Sequence, residues 1–174
     1  MPFWKVGRAT QVGIVDGSAV RAVEPHLEPI QLFTHESRVA GWIVALDERV
    51  TDVLNRRETL RVCVDASADT WADVDRDELL LVAPPPRTGP NPRRIHRHKR
   101  RVGILLGRYT VEGVAHLPPG MPLDPFLLRT RQRFVAVTDA IVTDEDERDG
   151  GEMHPVVIVN VHNMQELHTL LTLA

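Results

Sequence analysis

The densest concentration of charge in the sequence is the run Arg93-Arg94-Ile95-His96-Arg97-His98-Lys99-Arg100-Arg101. Arg93, Arg94, Arg97, Lys99, Arg100 and Arg101 could neutralise several phosphates, giving nucleic-acid or anion contact that weakens steeply as salt rises. The run contains no aromatic side chain on which a base could stack. Pro84-Pro85-Pro86 and Pro90-Asn91-Pro92 precede it and favour an extended spacer. Two readings therefore stay open: contact with a polyanion, or a solvated linker that docks on the rest of the chain.

The other reactive residue types are poorly arranged for chemistry. His96 and His98 form an H-x-H pair, and His154, His162 and His168 lie near the end. A metal site needs three or four converging ligands, and the cationic neighbours of the H-x-H pair would repel a cation, so surface histidines are expected. Asp144-Glu145-Asp146-Glu147 and Asp149-Gly150-Gly151-Glu152 lack the ligand alternation and fixed glycine of a calcium loop. The serines are Ser18, Ser37 and Ser67, and none sits in a nucleophile elbow. Cys63 lies in an apolar stretch, where a free thiol is usually a small core residue. Gly13 and Gly17 do not have the spacing of a nucleotide-binding fingerprint. The expectation is no enzyme, no cofactor and no metal.

The chain has 174 residues, room for one large or two small domains. Its 43% hydrophobic content is too high for general disorder. The net charge of −3 hides an asymmetry: residues 87–101 carry seven basic residues and no acid, leaving 14 basic against 24 acidic elsewhere. No stretch of 18 apolar residues exists to span a membrane, and Met1-Pro2-Phe3-Trp4-Lys5 has no signal-peptide core. A cytoplasmic, membrane-free protein is expected. One cysteine allows no internal disulfide.

The elements that would carry these residues repeat. A constant offset of 72 aligns Leu32 with Ile104, Val39 with Val111, Gly41 with Gly113, Asp52 with Asp124 and Leu54 with Phe126. Small insertions bring Leu60-Arg61-Val62 onto Phe134-Val135-Ala136, and Leu79–Val82 onto Val156–Val159. Acidic stretches, Asp69 to Glu78 and Asp144 to Glu152, fill the same gap and predict loops. Shared order, spacing and charge point to internal duplication.

Each copy predicts a short strand (30–33; 102–106) and a longer one through the glycine (38–46; 109–117), where the glycine suggests a bulge. Apolar residues on both faces of 38–46 predict a strand covered twice. A short helix follows, capped by Asp124 with Pro125, or by Asp52 or Thr51. Two further strands close each copy (60–64 and 78–82; 134–142 and 155–161). Asn163-Met164-Gln165-Glu166 reads as a capping box opening a final helix over Leu167, Leu170 and Leu171. Asp16-Gly17 predicts a hairpin between 11–15 and 19–23. The expected divisions are an N-terminal hairpin extension 1–28, a first β-rich repeat 29–86, a linker 87–100 and a second repeat 101–174.

The fold class expected is mainly β with short helices, as two tandem small β-barrel or β-sheet domains. The pattern resembles small SH3-like or Sm-like barrels, on Arg38-Val39-Ala40-Gly41-Trp42…Leu46-Asp47 and Val156-Val157-Ile158-Val159-Asn160…Asn163. Val161-His162-Asn163 stands where Sm-like proteins carry an Arg/Gly turn, so no RNA-binding residues come over with the resemblance. The second copy, from Tyr109-Thr110-Val111-Glu112-Gly113 to Phe134–Ala140, also resembles a family of uncharacterised bacterial domains, which implies no activity.

A repeat of about 70 residues is marginal alone, so the copies should pack on each other or on a partner. Trp42 and the leucines Leu167, Leu170 and Leu171 are either buried in that packing or form a contact surface for another chain. The function expected is a non-enzymatic binding or assembly module acting through protein–protein contacts, including self-association. Nucleic-acid binding through residues 93–101 is the second reading, and an enzyme with a cleft between the repeats the third.

Overall fold

The structure, a computed structural model, describes residues 5–8, 26–44, 48–64, 70–85, 97–123, 126–127, 131–147 and 150–170. The described strands are β1 Lys5–Arg8, β2 Leu27–Thr34, β3 Arg38–Val44, β4 Thr59–Cys63, β5 Thr70–Asp75, β6 Leu79–Ala83, β7 His98–Leu106, β8 Tyr109–Leu117, β9 Phe134–Asp144, β10 Glu152–Asn160 and β11 Glu166–Thr169. They join in one antiparallel open sheet of order β1-β5-β4-β3-β2-β6-β10-β9-β8-β7-β11. A helix, α1 Val50–Arg56, lies between β3 and β4.

Within that sheet one arrangement occurs twice. The order β5-β4-β3-β2-β6 is a four-strand meander whose fifth strand returns beside the first; β10-β9-β8-β7-β11 repeats it. Local sequence explains most of it. In β8 the odd positions Tyr109, Val111, Gly113, Ala115 and Leu117 are buried, and the even ones half-buried or exposed, as a period of two requires. Gly113 lies where the β8–β9 register shifts, between the pairs Glu112–Ile141 and Val114–Thr138. The extra residue falls on β9, where Asp139 takes a φ of 50°, so the bulge lies on the strand opposite Gly113 and not, as expected, in the glycine's own strand.

Several expectations are corrected. The acidic stretch after Asp69 is not simply a loop: β5 turns Ala72 and Val74 inward and Asp73 and Asp75 outward. The final helix is replaced by a short 3-10 turn, Val161–Asn163, and then β11. The free edge of β7 accounts for this, because pairing at Val102–Leu105 satisfies backbone groups that a helix would leave open. The strand covered on both faces is not β3, whose Val44 is 40% exposed, but β6, buried at all five residues. Leu79–Val82 and Val156–Val159 are not equivalents but neighbours, through Val82–Ile158 and Leu81–Val159.

The N-cap of α1 is Arg49 rather than Thr51 or Asp52, with no side-chain cap bond; Asp52 sits in the first turn, where its charge suits the helix dipole. The β7 strand begins at His98, inside the expected linker. The hairpin 11–23 and the Asp124–Pro125 cap lie outside the described residues, although Leu123, Phe126 and Leu127 are helical.

Two apolar cores flank the seam formed by β6 and β10. One gathers Val102, Ile104, Leu106, Tyr109, Val137 and Val159, and also takes Phe33, Leu80 and Leu81 from the first half. The other gathers Leu32, Ile43, Val53, Leu54 and Val62, and takes Phe134 and Ile158 from the second half. The halves exchange core residues, so neither core closes without the other.

Polar bonds fix the same seam. Asn160 is buried, donates from Nδ2 to the Leu79 carbonyl at 2.8 Å and accepts at Oδ1 from the His162 N–H at 3.2 Å. Asn55 on α1 bonds Phe134 reciprocally, Nδ2 to the carbonyl and Oδ1 from the N–H, both at 2.9 Å. Ion pairs Arg133–Asp77 and Arg38–Glu152 bridge the halves at the surface.

Candidate binding surfaces

Cross-strand register lines up five residues on one face of the first half. Pro29 pairs with Trp42, Trp42 with Cys63, Cys63 with Trp71, and Trp71 with Gly7. Because side chains alternate along a strand, these positions share the face opposite the core residues Ile43, Val62 and Ala72. Cys63 is fully buried there, and the two flanking indoles are half-buried. Two tryptophans bracketing a thiol make an apolar strip on the outer side of the sheet. Trp42 is half-buried on this outer face, and Trp71, from the stretch whose acidity predicts a loop, shares the face with it.

Beside this strip is an open groove of about 380 Å³, lined by Ile43, Val44, Val53, Leu60, Thr59, Arg57, Arg61 and Trp71. Its apolar floor is core material reaching the surface, and its rim carries two guanidinium groups. That of Arg61 lies 5.4 Å from the centre of the Trp71 ring, a cation–π contact. An apolar floor with a cationic, aromatic rim suits an apolar side chain flanked by acids.

The basic run is divided. Arg93 and Arg94 lie outside the described residues, as does His96. Arg97, His98, Lys99, Arg100 and Arg101 are exposed, the last four on β7 facing Leu117, His116, Ala115 and Val114 of β8. Among the described residues none of the five forms an ion pair. Lys99 is directly opposite His116, whose Nε2 lies 2.8 Å from Thr138 Oγ1. Burial pushes the His116 pKa down, and the charges of Lys99 and Arg97 push it further. This corner of the second half is electropositive on a chain that is otherwise acidic.

The C-terminal leucines do not form one stripe. Leu167 is half-buried against the core of Val102, Ile104 and Leu106, whereas Leu170 packs over Gly103 on the opposite face of the sheet. Leu171 lies outside the described residues. The late histidines are also separate: His162 is exposed in the 3-10 turn, His168 is exposed on β11, and His154 is buried on β10. No group of three or more His, Cys, Asp or Glu suited to a metal exists among the described residues.

Sequence reasoning missed the surroundings of His154. Its ring meets Phe33 edge-on at 6.2 Å, and Phe33 meets Tyr109 edge-on at 5.3 Å. His154 Nε2 has no hydrogen-bond partner among the described residues; Glu152 Oε1 is 3.6 Å away. Burial lowers the His154 pKa, Arg38 adds to that, and Glu152 opposes it.

Comparison with family models, curated proteins and solved structures finds no match to this chain.

Proposed function

We propose that the chain is a non-enzymatic binding and assembly module, built from two copies of a small Sm-like or SH3-like β unit that have fused into one sheet. The recurring strand order supports the duplication, as does the matched crowding of Gly41 and Gly113. The observation that carries the binding role is the outer strip Trp42–Cys63–Trp71, with its arginine-rimmed groove. Aromatic residues and arginine are the types that dominate protein contact surfaces. The favoured partner is a protein presenting an apolar side chain among acidic ones.

The test places a photo-crosslinking amino acid at Val44 and irradiates native lysate with and without nuclease. A discrete protein adduct that survives nuclease and is lost in a Trp71→Ala, Arg61→Ala variant supports the proposal. A chain that stays monomeric and yields no adduct at Val44 overturns it.

A second reading, polyanion binding through β7, is favoured by the exposed cations Arg97, Lys99, Arg100 and Arg101, which lack acidic partners among the described residues. Filter binding of single-stranded DNA at low salt tests it. Neutralising these four should abolish retention, and no retention of the unaltered protein would remove this reading.

A further inference from the structure

The sheet has two ends. At one, β1 carries two basic residues in four, a composition that discourages further pairing. At the other, β11 carries no Lys, Arg or Pro, and among the described residues nothing pairs with its outer edge.

The backbone parity of β11 is determined. Leu170 N–H donates to the Arg101 carbonyl directly opposite it in the register, which sets the parity; the Gln165 N–H, which donates to the Leu105 carbonyl, precedes β11 and does not follow the alternation. In an antiparallel pair, alternate residues turn their N–H and C=O to opposite sides. Glu166, His168 and Leu170 therefore bond inward to β7, and Leu167 and Thr169 present their N–H and C=O outward.

An outward set of two residues, spaced by two, is self-complementary in one antiparallel register. Leu167 of one chain faces Thr169 of the other, Thr169 faces Leu167, and the two-fold axis passes at His168. That register makes four backbone hydrogen bonds and overlaps residues 166–170 fully. Within the described residues 166–170, centring the axis on Leu167 or on Thr169 makes fewer. The side-chain faces also match: Leu167 and Thr169 lie on the core side in both strands, and Leu170 beside Gly103 meets the partner's edge on the outer side.

We propose that β11 is the contact of a two-fold dimer, in which the sheet of one chain continues into that of a second copy through Leu167–Thr169 pairs about His168. The interface is isologous, so it closes at two chains rather than growing into a fibre. It rests on the assembly reading above but uses a different surface from the tryptophan strip.

The register puts the two copies of residue 168 directly opposite each other in a non-hydrogen-bonded pair, with Cα atoms about 4.5 Å apart. Like charges at that spacing repel and opposite charges attract. Light scattering after size exclusion, from about 10 µM to about 1 mM, spans the affinities expected of so small a contact. The mass should rise from 19.6 kDa toward twice that value. His168→Lys and His168→Glu should each remain monomeric, and an equimolar mixture of the two should regain the rise. Thr169→Pro removes an outward N–H without touching a bond to β7, and should weaken association tenfold or more. Thermal unfolding of each variant confirms that the exposed substitution leaves the fold intact.

Three outcomes overturn the contact: a monomer at the highest concentration, a dimer indifferent to both charges at 168, or a mixture that stays monomeric. A dimer indifferent to residue 168 leaves the assembly reading standing on another surface. So does a monomer that is captured through Val44.

Discussion

Gly41 and Gly113 meet the same obstacle in the two halves of the sheet: a methyl group on either would lie 2.6 Å from a valine Cγ1 on the next strand. The valine is Val62 in one half and Val137 in the other, and a backbone oxygen stands at 2.7 and 2.9 Å respectively. Neither strand can yield, because each is pinned by its own ladder. Gly41→Ala and Gly113→Ala should each cost about 1–3 kcal/mol of stability, the usual range for overpacking. Gly103 is the control: its nearest neighbour would be 3.7 Å from the added methyl, an ordinary contact. Gly103→Ala should be neutral or stabilise by up to about 1 kcal/mol, since glycine weakens a strand interior. Urea unfolding of the three variants decides this, and equal losses at all three would refute the close-approach account.

The Asn55–Phe134 pair should matter more than its place at the end of a seven-residue helix implies. The amide imitates a strand partner for the first residue of β9, satisfying both an N–H and a C=O. Asn55→Ala leaves two backbone groups without partners and should cost about 1–3 kcal/mol. Asn55→Asp keeps the acceptor but turns a carboxylate oxygen toward the Phe134 carbonyl, so it should cost at least as much. Chemical denaturation measures both; a neutral Asn55→Asp would show that water replaces the donor.

These two contacts indicate what sequence could and could not convey. The glycine contacts join consecutive strands, so alternation and a lone Gly were enough to place β8, although the bulge itself lies on β9. The fifth strand of each half is different. β6 and β11 pair with strands more than forty residues earlier, and nothing local in Glu166-Leu167-His168-Thr169 records the open edge of β7. Leucines at 167, 170 and 171 then mimic a helical stripe. Trp71-Ala72-Asp73-Val74-Asp75 has the charge of a loop because its outward residues are acidic, and its pairing with β4 is what makes it a strand. The same acidity conceals the second tryptophan of the outer strip. The basic run was legible as charge, but its continuation as β7 depended on β8 lying alongside.

Stability should fall as the solution is acidified toward and below the histidine range. The folded-state pKa of His154 is depressed, chiefly by burial and then by Arg38, and that of His116 is depressed by burial, Lys99 and Arg97. The unfolded chain therefore takes up protons first. The stability contributed by these neutral rings is whole above about 6.5, the unperturbed value, and is lost as pH falls through the lower folded values. His154→Phe fills the same space against Phe33 with no proton to bind, so its melting temperature should decline less between pH 7 and pH 5. A decline as steep as in the unaltered protein would place the proton uptake elsewhere.

His116 offers a direct reading of the electropositive corner. If Lys99 and Arg97 hold its pKa down, then Lys99→Gln and Arg97→Gln should each raise it, Lys99 more, as the larger of the two charge effects. An NMR titration of the imidazole resolves the order, and the Thr138 contact at 2.8 Å gives a second resonance that moves with it. A polyanion seated on β7 would act in the same direction, by screening the same cations. Single-stranded DNA should then raise the His116 pKa, and by linkage should bind more tightly as pH falls through that value. An imidazole that titrates identically with and without DNA, at low salt, would mean that the ridge of Arg97, Lys99, Arg100 and Arg101 takes no polyanion.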